Sequence, residues 1–94
     1  MQRDKRDVEA ALAAKGFDRD IGDHRFFVYH TVDGLRTPVK TKTSHGTSTR
    51  SIGDELLSQM ARQCRLTRKD FISLVDCPLS REEYERRLIE ADAI

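Results

Sequence analysis

Phe26-Phe27-Val28-Tyr29-His30-Thr31-Val32-Asp33-Gly34-Leu35-Arg36 is the stretch whose reading decides the fold. Nearly every residue from Phe26 to Val32 is aromatic or β-branched, the types that pack best on a pleated surface. The strand is expected over His24 to Val32. Alternation puts Phe26, Val28, His30 and Val32 on one face and Phe27, Tyr29 and Thr31 on the other. Asp33-Gly34 signals a two-residue hairpin, with a return strand from Leu35 to about Lys42. Pro38 has no N–H to give a central ladder, so the return strand belongs at a sheet edge or carries a bulge.

Upstream, residues 4–15 carry Val8, Ala11 and Leu12 at helical spacing among further alanines. Gly16 can take the left-handed cap, with Phe17 to Ile21 as a short strand ending at Gly22. Downstream, seven of the eleven residues from Thr41 to Ser51 are Ser or Thr, which with His45-Gly46 predicts a loop. Asp54 is expected to cap a helix over Glu55 to about Arg65, whose apolar row Leu56, Met60 and Cys64 is widened by Leu57 and Ala61. Thr67 opens a short helix that Cys77-Pro78 ends, and Ser80-Arg81-Glu82-Glu83 is a capping box for a last helix carrying Tyr84 and Leu88. The expected class is α+β, a small three-stranded antiparallel sheet packed by helices. Residues 1–66 form its core and residues 67–94 a helical extension packed on the same domain.

At 94 residues the chain has room for one domain, and 37% hydrophobic against 35% charged residues makes it a polar globular one. Its longest apolar run, Ala10 to Ala14, is too short to span a membrane, and the charged start leads into no signal-like segment. A cytoplasmic protein is expected. Cys64 and Cys77 stand thirteen positions apart, without the closely spaced pairs of a zinc site, so they read as free thiols. Neither a metal nor another cofactor is expected.

The net charge of +1 excludes indiscriminate binding of polyanions by bulk charge. Its distribution is more informative. Residues 1–33 hold six basic and seven acidic groups and residues 54–94 seven and nine, whereas residues 34–53 hold Arg36, Lys40, Lys42 and Arg50 with no acid. Even spacing places Arg36, Lys40 and Lys42 on one face of the return strand, and the hydroxyl-rich loop adds donors such as Ser44. Arg62, Arg65 and Lys69 are expected alongside. Such a set can track phosphates, and it can equally solvate an edge strand and protect it from aggregation. His24, between Asp23 and Arg25 at a turn-to-strand junction, and His45, before a glycine in the loop, are the candidate acid–base groups. His30, mid-strand among aromatic residues, reads as packing. No phosphate-binding Gly-rich loop or nucleophile elbow occurs, and Glu82, Glu83, Glu85 and Glu90 read as a solvated helical face.

Ala11-Leu12-Ala13-Ala14-Lys15-Gly16-Phe17, then Gly22-Asp23-His24, an aromatic strand, the Asp-Gly turn and a basic return strand resemble HicA-type toxins over roughly residues 5–66. The resemblance implies a double-stranded-RNA-binding-like fold (dsRBD-like, α-β-β-β-α) and an mRNA interferase activity. The family carries its catalytic histidine in Gly-Ser-His; His24 is the matching residue, with Asp23 where the family has Ser. On this reading His24, seconded by His45, is the general acid or base of a metal-independent endoribonuclease. The RNA would lie along Arg25, Arg36, Lys40, Lys42, Ser44 and Arg50. The implied partners are mRNA and a cognate antitoxin protein covering the basic face. Two alternatives stay open: a non-catalytic RNA-binding module of the same fold, and a protein-interaction domain that docks through the acidic C-terminal helix.

Overall fold

The structure is a computed structural model and describes residues 3–20, 22, 26–42, 51–76 and 78–94. In chain order it comprises β1 (Arg3–Asp4), α1 (Lys5–Ala14), β2 (Phe17–Arg19), β3 (Phe26–His30), β4 (Arg36–Lys42), β5 (Ser51–Ile52), α2 (Asp54–Gln63), α3 (Arg68–Val75) and α4 (Arg81–Glu90). The α+β class holds. β2, β3 and β4 form an antiparallel sheet in that order, which makes β4 an edge strand. A separate ladder joins β1 to β5, with Arg3 opposite Ile52.

One hydrophobic cluster fills the space between sheet and helices. Phe17, Phe27, Tyr29 and Val39 enter it from the sheet, Val8 and Leu12 from α1, and Leu57, Met60 and Ala61 from α2. Phe71 and Leu74 of α3 and Tyr84 and Leu88 of α4 belong to the same cluster, so the core draws on both sides of position 66. The rings of Phe17, Tyr29 and Tyr84 pack with centroids 5.2–5.9 Å apart, a spacing that favours edge-on and offset contacts. The Tyr84 hydroxyl donates to the Cys64 carbonyl at 2.8 Å and ties α4 to the end of α2.

The hairpin differs from the expected two-residue turn. Thr31 N–H donates to Leu35 O at 2.9 Å and Gly34 N–H to Thr31 O at 2.8 Å, so Val32, Asp33 and Gly34 form a three-residue loop. A type I′ turn needs two left-handed residues, whereas here Gly34 alone has a positive φ (88°). Val32 therefore leaves the strand and is 55% exposed.

Pro38 lies where the β3–β4 register slips. Val28 faces Lys40 and His30 faces Arg36, so two steps along β3 match four along β4. Thr37 fills the slip, its hydroxyl donating to Tyr29 O at 2.8 Å and accepting from Val39 N–H at 3.2 Å. Because the slip is even, it preserves the alternation: Thr37, Val39 and Thr41 are buried and Arg36, Pro38 and Lys40 exposed.

Three further expectations are corrected. Gly53, not Asp54, is the N-cap of α2; Asp54 is its first helical residue, where a carboxylate still favours the helix dipole. Ser80 does accept from Glu83 N–H at 3.1 Å, but the Glu83 carboxylate turns to Arg86 at 2.6 Å, and half the capping box is made. Glu85 is no solvated residue either. Its Oε1 accepts from the Tyr29 hydroxyl at 2.6 Å and from Val32 N–H at 2.8 Å, while Arg81 donates to the carbonyls of His30 and Thr31 at 3.0 Å each. Through these bonds α4 grips the end of β3. Among the described residues no helix is long and apolar enough to cross a membrane.

Candidate nucleic-acid interface

The amphipathic spacing of α2 sends Leu57, Met60 and Ala61 into the core and leaves Gln59, Arg62 and Gln63 on the outer side. That side runs along the free edge of β4. Gln63 makes the join: its Oε1 accepts from the Thr41 hydroxyl at 2.7 Å and from Lys42 N–H at 3.1 Å. An edge-strand donor that would otherwise face water is thereby satisfied.

The helix then ends in a Schellman motif. Leu66 N–H donates to Ala61 O at 2.8 Å and Arg65 N–H to Arg62 O at 3.1 Å, with Arg65 in the left-handed region at φ 65°. This turn brings Arg65 beside Arg62. Between α2 and β4 lies a cleft of about 500 Å³, lined by Phe26, Pro38, Lys40, Gln59, Arg62, Gln63 and Arg65. The Lys40 ammonium stands 4.7 Å from the centre of the Phe26 ring and that of Lys42 5.5 Å from it. These are cation–π distances.

Its electrostatics set this cleft apart. Among the described residues no carboxylate lines it, and Lys40, Lys42, Arg62 and Arg65 have no ion-pair partner. Several cations elsewhere meet acids: Arg3 with Asp76 at 2.8 Å, Arg19 with Glu9 at 3.1 Å, Arg87 with Asp70 at 3.0 Å. The grooves beside α4 contain Asp33 and Glu85, or Glu82, Glu85 and Glu90.

The sequence-derived set is thus only partly assembled. Lys40 and Lys42 converge on Phe26, and Arg62 and Arg65 join them from α2, while Lys69 is not among the lining residues. Arg36 shares the strand face but sits beyond the register slip, paired with Asp20 at 3.1 Å. His30 is half-buried, its Nδ1 3.1 Å from Val28 O and 3.5 Å from an Asp18 oxygen. His24, Arg25, Ser44, His45 and Arg50 lie outside the described residues. The chain segments that carry them join the sheet at Phe26 and Lys42, which face each other as the final pair of the β3–β4 ladder. Phe26, Gln59 and Gln63 are the site residues that sequence reasoning missed.

Cys64 takes no part in surface chemistry: it is fully buried, and burial pushes its thiol up to about 12, so it stays protonated near neutrality. Among the described residues no three of His, Cys, Asp and Glu gather in a way that could hold a metal ion. No known protein family, curated protein or solved structure matches the chain. The chemistry of the cleft is therefore what bears on function.

Proposed function

We propose that the protein binds RNA, holding its phosphates in the cleft between β4 and α2. The observation that carries this reading is a lining with three cations, Lys40, Arg62 and Arg65, and a fourth, Lys42, over the Phe26 ring, none of them neutralised by a carboxylate among the described residues. Gathering like charges destabilises a folded chain, and a polyanion that releases its counterions on binding is the ligand that reverses the cost. The order α1, β2-β3-β4, α2 supports a dsRBD-like α-β-β-β-α arrangement with α3 and α4 added.

A second reading, metal-independent cleavage of the bound RNA, is favoured by the attachment of both histidine-bearing segments at the Phe26–Lys42 pair, beside the cleft. In that reaction a base takes the 2′-hydroxyl proton, the 2′-oxygen attacks phosphorus, and an acid protonates the departing 5′-oxygen, leaving a 2′,3′-cyclic phosphate. His24 and His45 would share these roles, with the cleft cations stabilising the charge that builds on the phosphorane. A neutralising protein partner would fit the same cleft through an acidic segment and compete with RNA for it.

Titration of a labelled RNA at several salt concentrations tests the binding. Lys40→Ala and Arg62→Ala should each weaken it and lower the salt slope by about one. Unchanged affinity in the double variant rejects the cleft. Incubated with the same RNA, His24→Ala should bind normally and lose about 10²–10⁴-fold in cleavage rate; a wild type that binds without cutting leaves the binding module alone standing.

A further inference from the structure

Building on the RNA-binding reading above, we propose that the cleft accepts a single-stranded segment and stacks one unpaired base on the Phe26 ring. A track for duplex phosphates has no use for an aromatic wall, because a duplex keeps its bases stacked on one another and offers phosphates and 2′-hydroxyls instead. Phe26 is nonetheless half-buried in the wall of this cleft, on the same sheet face as Lys40 and Lys42. The cleft is open to solvent, and its volume of about 500 Å³ is of the size that one nucleotide needs. One extruded nucleotide can enter such a space. A duplex, with its bases stacked on one another, offers none to the ring.

The surrounding groups fit the parts of that nucleotide. The two ammonium groups now at 4.7 and 5.5 Å from the ring centre hang on flexible stems and can swing to the flanking phosphates, giving the ring to a base. Arg62 and Arg65 supply planar donors for phosphate from the opposite wall. Gln63 is oriented in advance: its carbonyl oxygen is taken by Thr41 and by Lys42 N–H, which leaves the NH₂ group to meet an acceptor on a base edge.

The experiment compares a fluorescein-labelled 12-nucleotide RNA without self-complementarity with its 12-base-pair duplex, at one salt concentration, by anisotropy. The wild type should prefer the single strand at least tenfold. Phe26→Leu should weaken single-strand binding by about five- to hundredfold and leave duplex binding within twofold, while Phe26→Tyr, which keeps the ring and guards against a folding defect, should bind as the wild type does. Duplex bound as tightly as single strand, or equal losses on both RNAs in Phe26→Leu, overturns the inference and leaves RNA binding in place. Absence of affinity for either RNA at low salt overturns both.

Discussion

Gly16 and Arg65 follow the ends of α1 and α2, and both have a positive φ, at 101° and 65°. Glycine is needed at the first position on two counts, since a Cβ there would stand 2.7 Å from Arg81 Nε and 2.8 Å from Tyr29 Cε1. At the second position the sequence has placed an arginine where glycine is the easy choice. An L-residue with a Cβ costs roughly 1–2 kcal/mol in that conformation. The cost makes sense if the Arg65 side chain is required in the cleft. Arg65→Gly should therefore act in opposite directions, raising the unfolding free energy by about 1 kcal/mol while weakening RNA binding severalfold. Asp92, which follows α4 at φ 59° and lies outside the cleft, is the control. Asp92→Gly should stabilise slightly and leave binding alone, and a destabilised Arg65→Gly would refute the trade-off. Denaturant melts paired with RNA titrations decide it.

The elements differ in how far the sequence revealed them. β3 was legible because a run of aromatic and β-branched residues has few other uses, and α2 because Leu57, Met60, Ala61 and Cys64 repeat at helical spacing. β1 and β5 were not, since two-residue strands carry no periodicity and exist through their pairing. The common face of Lys40 and Lys42 could be read by parity, and Arg36 keeps that face across the slip at Pro38 because the slip is even. Phe26 and Gln63 as site walls could not: they depend on register and on the docking of α2 against an edge, both set by tertiary packing. The same holds for Glu85, which looked like one acid among many on α4 and instead receives the Tyr29 hydroxyl. That junction has a pH signature. Burial, reinforced by Glu85, lifts the Tyr29 phenol from 10.0 to about 12, and burial lifts the Cys64 thiol from 9.0 to about 12. Both groups hold their protons more tightly folded than unfolded. Their contributions are complete below the unfolded values and are lost as pH rises through the window from about 9 to 12. Urea midpoints should accordingly fall across that window. Tyr29→Phe should lose about 1–3 kcal/mol at neutral pH with its hydrogen bond to a charged group, and show a shallower alkaline limb. A profile flat to pH 11 would contradict the assignment.

At the scale of the whole molecule, the question is whether residues 67–94 complete the fold or decorate it. Tyr84 packs on both Phe17 and Tyr29, Arg81 holds the last carbonyls of β3, and Lys15 Nζ donates to the Leu79 carbonyl. Phe71, Leu74 and Leu88 are buried with the core residues of the sheet and α1. Without α3 and α4 the rings of Phe17 and Tyr29 would face water, and a chain of this size has little other core to offset that exposure. A fragment of residues 1–66 should therefore lack a cooperative thermal transition, bind a hydrophobic dye and give collapsed amide resonances. The full chain should melt in one transition, because the cluster that would have to break is shared. The argument also reaches the site. α2 is held on its inner side by α3 and α4, through Leu57, Met60 and the Tyr84–Cys64 bond, and on its outer side by the bonds of Gln63 to Thr41 and Lys42. Loss of the extension should remove the wall that bears Arg62 and Arg65, so the fragment should lose RNA affinity together with its structure. A fragment that melts cooperatively and still binds would make residues 67–94 a true appendage.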